Sequence, residues 1–395
     1  MTTSSEKVAT SLTPASIPPT ARLLGAFTSR ATVLLVAALA LILYFDYASG
    51  GLFITTTNAS LLLRQTAVIA VIASGVAVLI IMGEIDLSIG SAVFFTGLVA
   101  AQCQVAGWDL VSTILASVCV GVVMGLLQGV VVVRFGVPAF VVTLAGLLLW
   151  RGVGLMWTNA VAVGPVSSGF SSLTEGRLSN MAGILLSVAV VLACFVVTLT
   201  KVRENRSLGI GLVSASVAPA VAGVLCAAGL LWVAYGKVGL PNALLWIAAV
   251  GVVLTIVMTR AKFGRRAFLV GSNPEAAAFA GVSAGRTVLL GFILMGAIYG
   301  IAGVMLTARL STSTADSGYS LELVAIAAAV IGGNSLRGGV GSIQGAILGA
   351  FLLATIDNGM SLLGVSSYAQ NVVKGLILVL AVGIDGYLTR RNVGG

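Results

Sequence analysis

The sequence predicts an all-α fold: a polytopic transmembrane helical bundle of about twelve spans with both termini on the cytosolic side. Three observations predict it. The 395 residues are 58% hydrophobic and only 8% charged, with a mean hydropathy of +1.12, outside the range of soluble globular chains. Apolar runs of roughly 15–24 residues recur along the whole length, close to the ~20 a helix needs to cross the hydrocarbon core; a β-barrel would show short alternating segments instead. With the N-terminus inside, 15 of the 21 basic residues fall in inner loops and tails, as the positive-inside rule requires. The net charge of +9 follows from that bias and is no nucleic-acid footprint.

Residues 1–30, rich in Ser, Thr, Ala and Pro, have too little apolar content to fold alone and are expected to form a disordered cytosolic tail. The run Ala31 to Phe45 is short enough for a signal peptide, but no small-residue cleavage site follows, so it reads as the first span. The remaining runs lie at 61–82, 87–106, 111–133, 138–158, 181–200, 208–233, 243–259, 288–308, 320–333, 341–356 and 369–388. Together they make a membrane domain over 31–388, followed by a short cytosolic tail, 389–395. The forty-nine glycines suit such a bundle, because small residues let helix backbones approach where lipid gives no hydrophobic drive to pack. Cys103, Cys119, Cys194 and Cys226 stand singly in apolar runs and read as packing residues, without disulfide or metal-binding spacing.

The inner loop over 260–287 differs from the others. It reads RAKFGRRAFLVGSNPEAAAFAGVSAGR from Arg260 to Arg286, and it contains a short helix with both ends marked. Asn273 suits the N-cap, Pro274 the first turn, Glu275 the positive end of the dipole, Ala276 to Ala278 the body, and Gly281 the stop. Such an element, with Phe279 as an apolar anchor, is either a handle for a soluble partner or a helix lying on lipid headgroups.

GEIDLSIGS, residues 83–91, follows nineteen uncharged residues, Gln65 to Gly83. Charges at the bilayer centre are costly, at least about 2.5–3.5 kcal/mol each on insertion scales, so Glu84 and Asp86 mark an interface, a polar cavity or paired partners. The expected form is a break between helices flanked by Gly83 and Gly90. Asp86 would cap a helix starting at Leu87 with help from Ser88, or else touch the transported substrate or the coupling machinery. The segment 331–345 is a weak echo, with Gly333 and Gly341-Ser342 in matching places. An inverted repeat would put the two on opposite sides of the membrane, yet the span count puts both near the cytosol, so these expectations conflict.

Chemistry is further bounded by what is missing. Histidine is absent, which removes His-based zinc sites, nucleophile pairs and proton relays. No GxxxxGK[ST] phosphate loop occurs: Gly236-Lys237 is followed by Val238. No metal or catalytic residue is expected.

Four stretches taken together, GEIDLSIGS, PAFVVTLAGLLLWRG at 138–152, GSNPEAAAFAGV at 271–282 and IGGNSLRGGVGSIQGAILGA at 331–350, resemble the permease subunits of bacterial ABC importers for monosaccharides, the ribose, xylose and arabinose branch. The likeness runs from about residue 60 to residue 388. An additional helix pair within 208–259 looks like the xylose-type permeases. The resemblance implies a homodimeric permease in the bacterial inner membrane that receives a pentose such as xylose from an extracytoplasmic sugar-binding protein. It also implies a separate ABC ATPase chain that carries the ATP and Mg. A pore without its own nucleotide site must receive work through a rigid element outside the bilayer, so that chain is expected to dock at Asn273, Pro274, Glu275, Ala278, Phe279 and Gly281. Planar polar and aromatic groups suit a sugar path, and Trp150, Trp157, Asn159, Tyr319, Glu322, Asp357, Asn358, Tyr368, Gln370 and Asn371 lie toward the outer half; each is equally a helix anchor or an interhelical bond. An ion-coupled secondary transporter using Asp86, Glu322 or Asp357 is the alternative, and an intramembrane enzyme the remote third.

Overall fold

A computed structural model describes residues 30–207 and 214–393. Residues 1–29 of the expected 1–30 tail and the last two residues lie outside the described residues, and Arg30 already opens the first helix. Among those described there are fifteen helices and no strand, with only two isolated β-bridges, Val163 to Ser313 and Arg177 to Pro241. In chain order the helices are α1 (Arg30–Ala48), α2 (Thr56–Ile81), α3 (Ile89–Val105), α4 (Leu110–Phe135), α5 (Ala139–Thr158), α6 (Ser168–Glu175), α7 (Asn180–Ser207) and α8 (Ser214–Ala234). They continue with α9 (Ala243–Thr259), α10 (Lys262–Ser272), α11 (Pro274–Phe279), α12 (Ala284–Leu310), α13 (Leu321–Ile331), α14 (Ile343–Leu362) and α15 (Ser367–Val393). Each of the twelve apolar runs overlaps a helix, the part of the 208–233 run before Ser214 lying outside the described residues. Six of them, α2, α4, α5, α7, α12 and α14, are long and apolar enough to cross a membrane unaided, and α9 with α10 would make a seventh across a 70° bend.

Three details depart from the expected layout. The C-terminal helix continues to Val393, so most of the 389–395 tail is helical. The 208–259 pair is divided: α8 packs on α7, with Gly223 seated against Cys194, whereas α9 packs on α2 and leads into α10. The loop over 260–287 holds two helices rather than one, because α10 precedes the expected short helix.

The core is organised around α2, which is buried along most of its length and touches α9, α12, α13 and α14. Against it runs the tightest pair in the bundle, α4 with α12. There Gly121 lies on the Gly296 backbone, Gly125 on the carbonyl of Phe292, and Gly300 on Val118. A Cβ at any of these glycines would collide with opposing main chain, so the approach depends on hydrogen alone at those positions.

Two helices are too short to span. At 1.5 Å per residue, α13 with eleven residues covers about 16 Å, roughly half the hydrocarbon thickness. The seventeen residues of α3 start beside Gly146, seven residues into α5, which puts its first turn about 10 Å from the inner end of that helix. Irregular segments precede both helices. Residues 83–88 lead from the end of α2 to the start of α3, and residues 311–320, largely a series of turns, lead from the end of α12 to the start of α13. The two starts meet, with the Gly318 carbonyl packed on Gly90.

Candidate functional site

Helix α2 ends in a reversal built by Gly83. Its φ of +82° is left-handed, Gly83 N–H donates to Ile80 O at 2.9 Å and Glu84 N–H to Leu79 O at 3.0 Å, which satisfies the last carbonyls of the helix. Glu84 is half-buried at this inner end. Two residues on, Asp86 is 2% exposed. One of its carboxylate oxygens accepts the Ser88 N–H at 2.8 Å and the Ser88 hydroxyl at 2.7 Å; the other accepts the hydroxyl of Tyr299, on α12. Gln128, on α4, donates from Nε2 to Ser88 Oγ at 2.8 Å, and its Oε1 lies 3.3 Å from the Tyr299 hydroxyl. Every proton in this chain points toward Asp86, the pattern of an acceptor that holds its neighbours in place.

This differs from the expected cap. The helix begins at Ile89 rather than Leu87, Ser88 holds the cap position, and Asp86 forms a turn onto Ser88 instead of reaching the first-turn amides. The reason is competition: Tyr299 and Gln128 draw the carboxylate and the serine hydroxyl away from the helix end.

The first turn of α3 is served from elsewhere. Glu322, in the first turn of α13, places its carboxylate against Gly90, in the space that a Cβ there would need. Two helix N-termini facing one another bring two positive dipole ends together, and a carboxylate between them offsets that repulsion. Arg151 completes the junction from α5. Its Nη1 donates to the carbonyls of Ala315 and Ser317, both at 2.8 Å, and its guanidinium sits 4.5 Å from the centre of the Phe94 ring. The 311–320 segment, the starts of α3 and α13, and the side chains of Glu322 and Arg151 therefore meet inside the bundle. The 331–345 segment is not the counterpart of the Gly83 break, because Gly339 N–H donates to Ile81 O at 2.8 Å, putting both at the same end. The counterpart is 311–320, which approaches from the opposite side.

Broken spans with helix N-termini facing each other in mid-bundle are the architecture of a translocating protein. Residues 58–382 match the family described as branched-chain amino acid transport system / permease component. The chain belongs to this permease family. Among curated relatives, this permease is 38% identical over 366 residues to the xylose transport system permease protein XylH of Escherichia coli (strain K12), covering 91% of this chain and 92% of the relative. The XylH of Haemophilus influenzae is 36% identical over 357 residues, covering 89% and 95%. The ribose import permease protein RbsC of Escherichia coli (strain K12) is 31% identical over 352 residues, covering 89% and 92%. No solved structure matches the chain.

The loop between α9 and α12 carries the capped element read from the sequence. Asn273 Oδ1 accepts the N–H groups of Glu275 and Ala276, both at 3.0 Å, Pro274 opens α11, and Gly281 with φ +73° closes it, Val282 N–H returning to Ala277 O at 2.9 Å. Ala277 is buried, Ala278 is exposed, and Phe279 is 94% exposed. The sequence reading missed α10, whose Gly264, Ala267 and Val270 face inward while Arg265, Arg266 and Leu269 face out. Its end is wedged against the motif: Gly271 lies on the carbonyl of Ile81 and against Gly338 and Gly339, with no room for a Cβ.

The outer candidates do not converge. Asn358 is buried in a reciprocal pair with Asn58, Nδ2 to Oδ1 at 2.9 and 3.0 Å, joining α14 to α2. Gln370 staples the turn between α14 and α15 by donating to Val365 O at 2.9 Å. Asn159 ends α5 in the left-handed conformation, φ +49°, which asparagine tolerates. Trp150 and Trp157 pack on Phe95, with ring centres 6.0 and 6.2 Å away. Tyr368 is exposed at the start of α15. Of these candidates Tyr319, Asp357 and Asn371 share a cavity, together with Lys374. Tyr299, Gln128 and Arg151 were missed, and no local signal marks them: each sits alone in an apolar run.

Proposed function

We propose that this chain is the permease subunit of an ATP-driven pentose importer, with xylose the first substrate to test. The observation that carries the reading is the two-way coverage with the xylose permease, which leaves little of either chain unmatched. The family description names branched-chain amino acids instead, so the substrate is the point at issue. The chain crosses the bacterial inner membrane twelve times, α3 and α13 being completed by residues 83–88 and 311–320, and both termini are cytosolic. It works as a homodimer. An extracytoplasmic sugar-binding protein delivers substrate on the outer side, and an ABC ATPase chain carrying ATP and Mg docks on α11 through Phe279 and the exposed face beside Glu275.

The mechanical logic follows from the packing. A partner shifts a conformational equilibrium only by contacting its two states differently. Movement of α11 passes directly to α10, whose Gly271 bears on the end of α2 where the Gly83 break begins. The break carries Asp86 and Ser88, and through them the start of α3. Ion coupling fits less well, because Asp86 already accepts three hydrogen bonds, Asp357 is paired with Lys374 at 2.9 Å and Glu322 sits on Gly90.

The test is uptake of radiolabelled xylose, ribose, arabinose and leucine by the reconstituted permease with its ATPase and binding protein. Uptake of a pentose and not of leucine is the expected result; leucine uptake alone would transfer the chain to an amino-acid substrate.

A further inference from the structure

Between the start of α13 and the helices α14 and α15 the space is not filled. A cavity of about 270 Å3 remains there, lined by Leu323 and Leu353 and by Tyr319, Asp357, Asn371 and Lys374. We infer that this cavity is a monosaccharide subsite within a single protomer; the inference rests on the reading of the chain as a sugar permease and adds where in the chain the sugar pauses.

Size and chemistry both point to that ligand class. The volume lies just below the roughly 300–1,000 Å3 of drug-sized sites, suited to one sugar ring of about ten non-hydrogen atoms rather than an oligosaccharide. Asp357 Oδ2 and Lys374 Nζ are 2.9 Å apart, and their side chains keep 22% and 29% of their exposure, so the pair faces the space it lines. An acceptor set beside a donor complements two adjacent hydroxyls, each of which can both donate and accept. The pair carries no net charge. A neutral polyol bridges it without separating it, whereas a free amino acid would have to pull the two charges apart.

Further groups stand ready. The Tyr319 hydroxyl and the Asn371 amide have no hydrogen-bond partner among the described residues. The Tyr319 ring is 74% exposed and offers a flat apolar face to the C–H side of a sugar, while Leu323 and Leu353 form an apolar floor. The arrangement is that of a carbohydrate site: one aromatic face, planar polar groups at the rim, and an apolar base.

The experiment uses the full complex in vesicles, with Cys103, Cys119, Cys194 and Cys226 replaced by serine and Ser320→Cys introduced as a reporter on the cavity wall. Labelling by a membrane-impermeant thiol reagent is timed without binding protein, with xylose, leucine or no addition. Simple occupancy predicts that xylose at tenfold its Kd slows labelling about tenfold, that leucine does not, and that Tyr319→Leu or Asn371→Leu abolishes the protection. Leu323→Cys replaces the reporter if Ser320→Cys does not assemble. Unchanged labelling in a preparation whose parent takes up xylose with ATP would overturn the subsite and leave the proposed function standing. Protection by leucine and by no pentose would overturn both.

Discussion

Asp86 is buried because three donors make burial tolerable, and the same three donors set what its replacement should do. Asparagine keeps an acceptor for Ser88, and the Tyr299 hydroxyl can turn to Gln128 Oε1, already 3.3 Å away, while accepting from the new amide. Alanine instead leaves the buried Ser88 N–H and hydroxyl without the acceptor they share. Asp86→Ala should therefore cost about 2–4 kcal/mol and Asp86→Asn appreciably less, measured by thermal unfolding in detergent, with transport following the same order. Abolished transport in a normally folded Asp86→Asn protein would instead assign the charge a direct part in moving substrate. That an acidic residue sat at a break was legible from Gly83, Gly90 and the apolar run before them. Its partners were not, because Tyr299 lies 213 residues away in a run whose composition only says membrane.

Among the elements, α11 was legible down to its caps because Asn, Pro and Gly each act through their own backbone geometry within a few residues. Its neighbour α10 was not: three arginines and lysines in five residues read as a charged loop until Gly264, Ala267 and Val270 are seen to share a face. The half-length of α13 was likewise hidden, since an apolar run of eleven to fourteen residues does not say which half of the bilayer it fills. If α10 transmits motion to the Gly83 break, Gly271→Val must push the two apart, since even a Cβ there overlaps the Ile81 carbonyl. Sugar-stimulated ATP turnover should then fall at least about tenfold while ATPase binding persists, a loss of at least ~1.4 kcal/mol in coupling. Phe279→Ala and Glu275→Arg should do the reverse, weakening ATPase capture in pull-down with membrane insertion intact; equal capture by both variants would favour a helix resting on headgroups. On the opposite side, Asp109 caps α4, and the bonds it accepts from Ser112 hold its carboxyl below the usual range. A lowered folded pKa stabilises the helix start above the unfolded value of about 3.9 and loses that effect as pH falls through the folded value. Amide exchange at Val111 and Ser112 should accelerate on that acid side, and the pH dependence should vanish in Asp109→Ala.

For the molecule as a whole, composition and basic-residue placement were enough to reveal a multi-pass helical membrane protein, because solvation by lipid leaves few other architectures. They could not reveal that two passes are broken and meet at their helix starts, since that depends on Glu322 finding Gly90 and Arg151 finding the carbonyls of Ala315 and Ser317 across the bundle. The junction suits the proposed permease, in which an outside force would select between two packing arrangements of these helices. The central claim is that this force comes from another chain. The most direct measurement is xylose uptake into vesicles holding the purified permease, with ATP and binding protein present throughout and the ATPase chain either included or omitted. Uptake only when the ATPase chain is included, with no ATP hydrolysis by the permease alone, is the predicted result. Equal uptake with the ATPase omitted, driven by a proton or sodium gradient, would contradict it.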